Sequence, residues 1–306
     1  MNQRQTSQPH SEAEMIHINL HAVPDGCYEP TSLLWKPEEG EYNIVVPHIP
    51  IKVNVSDEIE ALRKRVPEVP GILYDGLYAN VEDIAITDHE IIVTTSITTA
   101  FTHLAASYHY NSEQGSNPVR PLAVQTTLIT PAKEILVEKR IGTTDFPNAW
   151  SVFGGALKPK EIDLRQAMLA RLKKRWGMEL IPSQLELSGI GRENPGNIYC
   201  VFFMGLLEEG QADKMLQDAR EERLQGNKFF LKISPEEIRR FVEYFPVQQK
   251  EHPEIPWNLL GRENVIHTIE LAGIITHEEA ATFRQGARKQ LSQNPYTHRY
   301  PIEKYL

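Results

Sequence analysis

Residues Trp150 to Met178 read WSVFGGALKPKEIDLRQAMLARLKKRWGM, and the order of features within this stretch decides the fold. A short apolar run ending at Phe153 has strand character, and Gly154-Gly155 then provides a turn free of side chains. After a loop, Asp163 opens a helix as its capping residue. Leu164, Met168, Leu172 and Trp176 recur every fourth residue, which lays one apolar stripe along that helix. Gly177 stands where a left-handed residue closes a helix. Other positions are cationic: Arg165, Arg171, Lys173, Lys174 and Arg175 place five bases within eleven residues.

The flanks repeat the alternation of strand and helix. Upstream, Leu122 to Ile129 and Glu134 to Lys139 read as a strand pair around Thr130-Pro131-Ala132-Lys133. Downstream, Ile198 to Leu207 (IYCVFFMGLL) is an apolar run of strand length, expected to be buried on both faces. Val81 to Ile86 and Glu90 to Thr95 form an earlier strand pair turning at Asp88-His89, and Ser107 to Pro118 reads as a polar loop. A short helix from Ser56 to Arg65 has acids at its start and bases at its end. Helices are expected around Pro235 to Tyr244, Asn264 to Ala272 and His277 to Leu291. Residues 1–14 carry too little apolar surface to offset ordering entropy and read as a disordered tail.

The order strand, Gly-Gly turn, loop, helix and glycine resembles the Nudix box. That pattern is G, five residues, E, seven residues, then REUXEEXGU with U apolar. Gly155 and Glu161 match its opening, while Leu172, Gly177 and Met178 match its apolar position and close. The strand pair at Leu122 to Lys139 and Phe146-Pro147-Asn148-Ala149-Trp150 match the usual lead-in. Tyr74-Asp75-Gly76 through Leu104-Ala105-Ala106 is loosely similar to the N-terminal extension of nucleotide-sugar Nudix hydrolases. The resemblance implies an α/β (α+β) fold: a mixed sheet sandwiched by helices. Taken with the composition of the flanks, the expected division is a tail (1–14), an N-terminal β-rich extension (15–115), a Nudix-like domain (116–245) and a C-terminal helical extension (246–306).

The departures from the pattern bear on chemistry. Aligned back from Gly177, the family's arginine falls on Ala170 and the adjoining glutamate on Arg171. The paired metal-binding glutamates fall on Lys174 and Arg175, and one extra residue separates Glu161 from this segment. Magnesium takes hard oxygen ligands, whereas Lys and Arg offer only donors and repel a cation. The box therefore implies no metal ligand set, and magnesium belongs only to a reading in which the chain is active. Two readings of the bases stay open. Arg171, Lys174 and Arg175, beside the Gly154-Gly155 turn, contact phosphates directly, or they form a solvated face that keeps the helix soluble. Candidate catalytic acids are Glu161 within the box and, as relocated acids, Glu209 and Glu222 in the acidic run after the apolar strand. That run also reads as an exposed helix face with surface pairing.

Composition narrows the field further. With 306 residues, 41% hydrophobic and 24% charged, the chain is an ordinary globular protein with ample core. A net charge of −9 argues against nucleic-acid or anionic-membrane partners. Two distant cysteines make no disulfide framework, no apolar stretch reaches membrane-spanning length, and a cytoplasmic setting is expected. The 11 histidines show no metal spacing, so His103, His109 and His267 read as packed or surface residues. Trp150, Tyr199 and Phe203 suit base stacking or, as strand aromatics, the core. Three functions result. The first is a degenerate Nudix protein holding a nucleoside-diphosphate-type small molecule with little or no metal-dependent hydrolysis. The second is an active hydrolase of nucleotide sugars or related diphosphates using acids from outside the box. The third is a protein-interaction module in which the Nudix fold is only a scaffold and the N- and C-terminal extensions present partner surfaces.

Overall fold

The computed structural model describes residues 15–18, 20, 31–37, 42–68, 74–110, 117–139, 150–194, 197–214, 216–217, 229–243 and 259–293. The expected tail, the lead-in at Phe146 to Ala149, and Glu222 lie outside the described residues.

Among the described residues, two sheets organise the fold. In the first, β5 (Leu77–Ile86) and β6 (Glu90–Thr99) form a long antiparallel hairpin. The short β1 (Ile16–His17) lies along β5, while β3 (Asn43–Val45) and β4 (His48–Lys52) run parallel along the other edge of β6. Beside them, α1 (Asp57–Arg65) and α2 (Ala100–His109) close a small cluster of Ile59, Val66, Leu104, Ala105 and Val119. Here one expectation is corrected: Ser107 to His109 are the last turn of α2 rather than loop. Buried His103 and Ser107 bond to each other one turn apart at 3.3 Å, so these polar residues satisfy themselves inside a packed helix.

The second sheet is mixed. Its strands are β2 (Thr31–Trp35), β7 (Leu122–Ile129), β8 (Ile135–Lys139), β9 (Trp150–Ser151), β10 (Phe153–Ala156), β11 (Leu185–Glu193), β12 (Ile198–Leu206) and β13 (Phe229–Ile233). The order is β13-β8-β7-β12-β11-β2, with β9 on β8 and β10 on β7. Only the β7–β12 pair is parallel among these pairings. The N-terminal segment thus supplies β2 to this sheet's edge, and Ala79 N–H and Val81 N–H donate to Leu157 O and Arg120 O at 2.8 Å to join the two sheets.

Period-two alternation sorts the second sheet's side chains between two layers. Val124, Leu128, Leu136, Phe153, Tyr199, Val201 and Phe203 face the core shared with the first sheet and α3 (Leu164–Trp176). Ala123, Cys200 and Phe202 face Leu260 on α5 (Leu259–Leu271). Ile135, Val137, Trp150 and Val152 pack with α4 (Pro235–Glu243), α5 and α6 (His277–Gln293). The apolar run of β12 is therefore buried on both faces, as its composition predicted.

The Asp163 side chain caps α3 by accepting from Gln166 N–H at 2.9 Å. At the other end Gly177 adopts φ 70°, and the N–H groups of Gly177 and Met178 return to Lys173 O and Leu172 O. Between these caps Leu164, Met168, Leu172 and Trp176 are all buried, so the fourfold stripe is the face that meets the sheet.

Candidate functional site

The site is built where β10 gives way to α3. Gly154 and Gly155 pair with Gln125 and Val124 of β7. A Cβ on Gly154 would stand 2.2 Å from Val124 O and 2.9 Å from Gln125 Cα, so only glycine lets the strands approach this closely. The chain then leaves the sheet, and Glu161 closes the loop: its Oε2 accepts from Lys158 N–H at 2.7 Å.

From α3, two arginines one helical turn apart reach back over this loop. Arg171 donates from Nη1 to Gly155 O at 3.2 Å and from Nη2 to Ala156 O at 2.8 Å, and it forms an ion pair with the Glu161 carboxylate. Burial lowers the pKa of this guanidinium, and the Glu161 charge acts against that shift. Arg175 donates from Nη1 to Gly154 O at 2.9 Å, while its guanidinium lies 4.8 Å above the Trp176 ring. Trp176 is fixed in turn by an edge contact with Phe153 and by its indole N–H, which donates to Glu138 Oε2 at 2.7 Å. Lys173 pairs with Glu179 in solvent, and Lys174 is exposed on the same last turn.

The structure thus brings Gly154, Gly155, Glu161, Arg171 and Arg175 together, with Lys174 alongside. It does not bring Glu209 to them. Leu207 N–H bonds Ile129 O, whereas Gly155 lies opposite Val124. Five residues of strand separate those positions, which is about 17 Å. Glu209 is exposed beyond the far end of β12.

These residues do not fit magnesium. Glu161 is already neutralised by Arg171, and the two following box positions are Lys174 and Arg175. Among the described residues no group of three or more His, Cys, Asp or Glu is arranged to hold a metal ion. His103 and His267 are packed residues, the latter with Nε2 2.6 Å from Ser188 O, and His109 is exposed. Trp150, Tyr199 and Phe203 are buried in the core.

Two features escaped the sequence. One is a cleft of about 380 Å³ where Tyr42 and Asn43, at the start of β3, meet Asp163, Arg165 and Gln166 at the start of α3, with Phe203 among its lining. No local signal announces which strand faces that helix end. The other is the oxygen cage itself, because backbone carbonyls leave no trace in a residue pattern.

With this turn, its helix and the mixed sheet in place, the box resemblance has its structural counterpart. The fold is Nudix-like. No protein-family model matches the chain, and no curated protein matches it. Among solved structures it is similar to a MutT/Nudix family protein from Listeria innocua, at 18% identity and TM-score 0.35, covering 51% of this chain and 98% of that one. A MutT/Nudix family protein from Enterococcus faecalis aligns at 18% identity and TM-score 0.27, over 34% and 42% of the two chains. Shewanella oneidensis NrtR, complexed with a 27mer DNA, aligns at 12% identity and TM-score 0.35, over 56% and 82%. Among the described residues no helix is long and apolar enough to cross a membrane.

Proposed function

We propose that this chain is a Nudix-like protein that holds a nucleoside-diphosphate-type small molecule at the Gly154-Gly155 turn without metal-dependent hydrolysis. One observation carries the reading: the box's remaining acid, Glu161, is tied to Arg171, while Lys174 and Arg175 occupy the acids' places. Water activation by a bound metal needs carboxylates free to hold it. Arg175 spends one N–H on Gly154 O and keeps further donors for an anion, and exposed Lys174 adds a second charge. The buried free thiol of Cys200 suits a reducing, cytoplasmic setting.

A screen of nucleoside diphosphates, ADP-ribose and UDP-sugars by thermal shift, with and without magnesium, tests this. A ligand that binds the folded state raises its apparent stability, and the rise is expected without magnesium. Titration calorimetry of the best ligand against Lys174→Glu/Arg175→Glu should show at least a tenfold loss of affinity. Robust magnesium-dependent release of a nucleoside monophosphate by the pure protein would sink the reading in favour of an active hydrolase.

The scaffold reading gains support from one contact. A Cβ on Gly261 of α5 would lie 3.2 Å from Ser151 Oγ and 3.3 Å from Val152 N. The far side of the strand entering the turn is therefore filled by a helix, which leaves less room for a ligand there. A chain that binds none of the screened compounds, yet recovers a partner protein specifically, would favour that alternative.

A further inference from the structure

The arginines of α3 do more than replace acids. Three consecutive carbonyl oxygens, those of Gly154, Gly155 and Ala156, together with the Glu161 carboxylate, point at two guanidinium groups. Hard oxygens gathered along one turn are of the donor type that a divalent cation takes. We propose that Arg171 and Arg175 are resident cations of this turn. Tethered to α3, they saturate its oxygens, so that the loop is closed permanently and no divalent metal is recruited.

The two arginines differ in what they hold. Arg171 engages Gly155 O, Ala156 O and Glu161 at once, with its side chain only 13% exposed. Its planar fork serves several acceptors in a fixed geometry, which an ammonium does not reproduce. Arg175 takes the one remaining carbonyl and is exposed. Arg171 is therefore the lock of the site, and Arg175 its outer closure. This extends the reading above, yet it stands on the oxygen cage and fails independently of it. Ligand binding at Lys174 and Arg175 does not require Arg171 to exclude metal.

The consequence is a non-additive response to mutation. If only net charge kept metal away, Arg175→Glu would create a metal site by itself. With Arg171 still seated on Glu161 and two carbonyls, it does not. Freeing those oxygens requires a second change, Arg171→Gln, which leaves Glu161, the introduced carboxylate at 175 and the carbonyls to act together.

Binding of Mn2+ to the full chain, read as loss of the free-ion EPR signal, tests this. Wild type and Arg175→Glu are expected to bind no Mn2+ at 1:1 below about millimolar concentration, a generous limit for sites of few carboxylates. Arg171→Gln/Arg175→Glu should bind one Mn2+ at least tenfold tighter than Arg175→Glu, and adding Glu161→Gln should abolish the gain. If that double variant is unfolded by circular dichroism, Arg171→Met/Arg175→Glu, which keeps an apolar stem and no charge at 171, replaces it with the same expected order. Tight Mn2+ binding by wild type that is lost in Glu161→Gln would overturn the proposal. So would equal affinity of Arg175→Glu and a folded double variant.

Discussion

Gly154 and His267 show how much a single residue decides here. A Cβ on Gly154 would lie 2.2 Å from the Val124 carbonyl oxygen of the paired strand, so Gly154→Ala drives a methyl into it. Overpacking of this kind costs about 1–3 kcal/mol, and urea unfolding should show a loss in that range. His267 is buried, and burial pushes its pKa below the ordinary value against the smaller opposing effect of the Ser188 carbonyl. Its neutral form is the one the fold accepts. A depressed folded-state pKa means that stability is complete above the ordinary histidine range, and it is lost as pH falls through that range toward the folded value. Urea midpoints should therefore drop between about pH 7 and pH 5, and His267→Gln should flatten that part of the profile. Glu263, Glu270 and Arg284 surround the imidazole, so the slope is read relative to wild type over the same pH range.

At the scale of elements, α3 was legible in full because each of its signals is local: Asp163 at the cap, the stripe from Leu164 to Trp176, and Gly177 at the close. Leu172 is wholly buried, and Leu172→Ala is expected to cost about 2–5 kcal/mol, measured as a shift in the denaturant midpoint. Asp163→Ala removes one capping bond and should cost about 1 kcal/mol by the same measurement. By contrast, α2 and the start of α5 were hidden. In α5 the residues Arg262, Glu263, Asn264, His267 and Thr268 are polar and yet buried, so no hydrophobic period marks the helix before Asn264. Asn264 accepts from Thr127 and Thr268, and Glu263 accepts from Thr31 and Arg284. Thr127, Thr31 and Arg284 lie in other elements, where a local reading has no access. The same limit applied at the site. Glu161, Arg171 and the glycines were visible as residue types, but the carbonyl oxygens that Arg171 and Arg175 hold exist only once the turn has folded.

For the whole molecule, the sheet at residues 122–233 is covered on one face by α3 and the first sheet, and on the other by α4, α5 and α6. Neither cover comes from within residues 116–245 alone, since the first sheet precedes them and α5 follows. A fragment of residues 116–245 is expected to show no cooperative thermal transition and to bind hydrophobic dye, while the full chain unfolds cooperatively. A cooperative transition in the fragment would show that the sheet stands without its covers.

The edge strand β2 carries one more consequence, in the timing of synthesis. Its hydrogen-bonding partner β11 begins at Leu185, and Thr31 bonds to Glu263 across 232 positions of sequence. During translation at about 5–20 residues per second, β2 therefore waits roughly 8–30 s after it leaves the ribosome before β11 has emerged. Throughout that interval its backbone is an open edge available to other nascent chains. Ribosomes stalled near residue 180 should carry chains that a protease cuts readily within 31–35. In chains released at full length the same segment should resist cleavage.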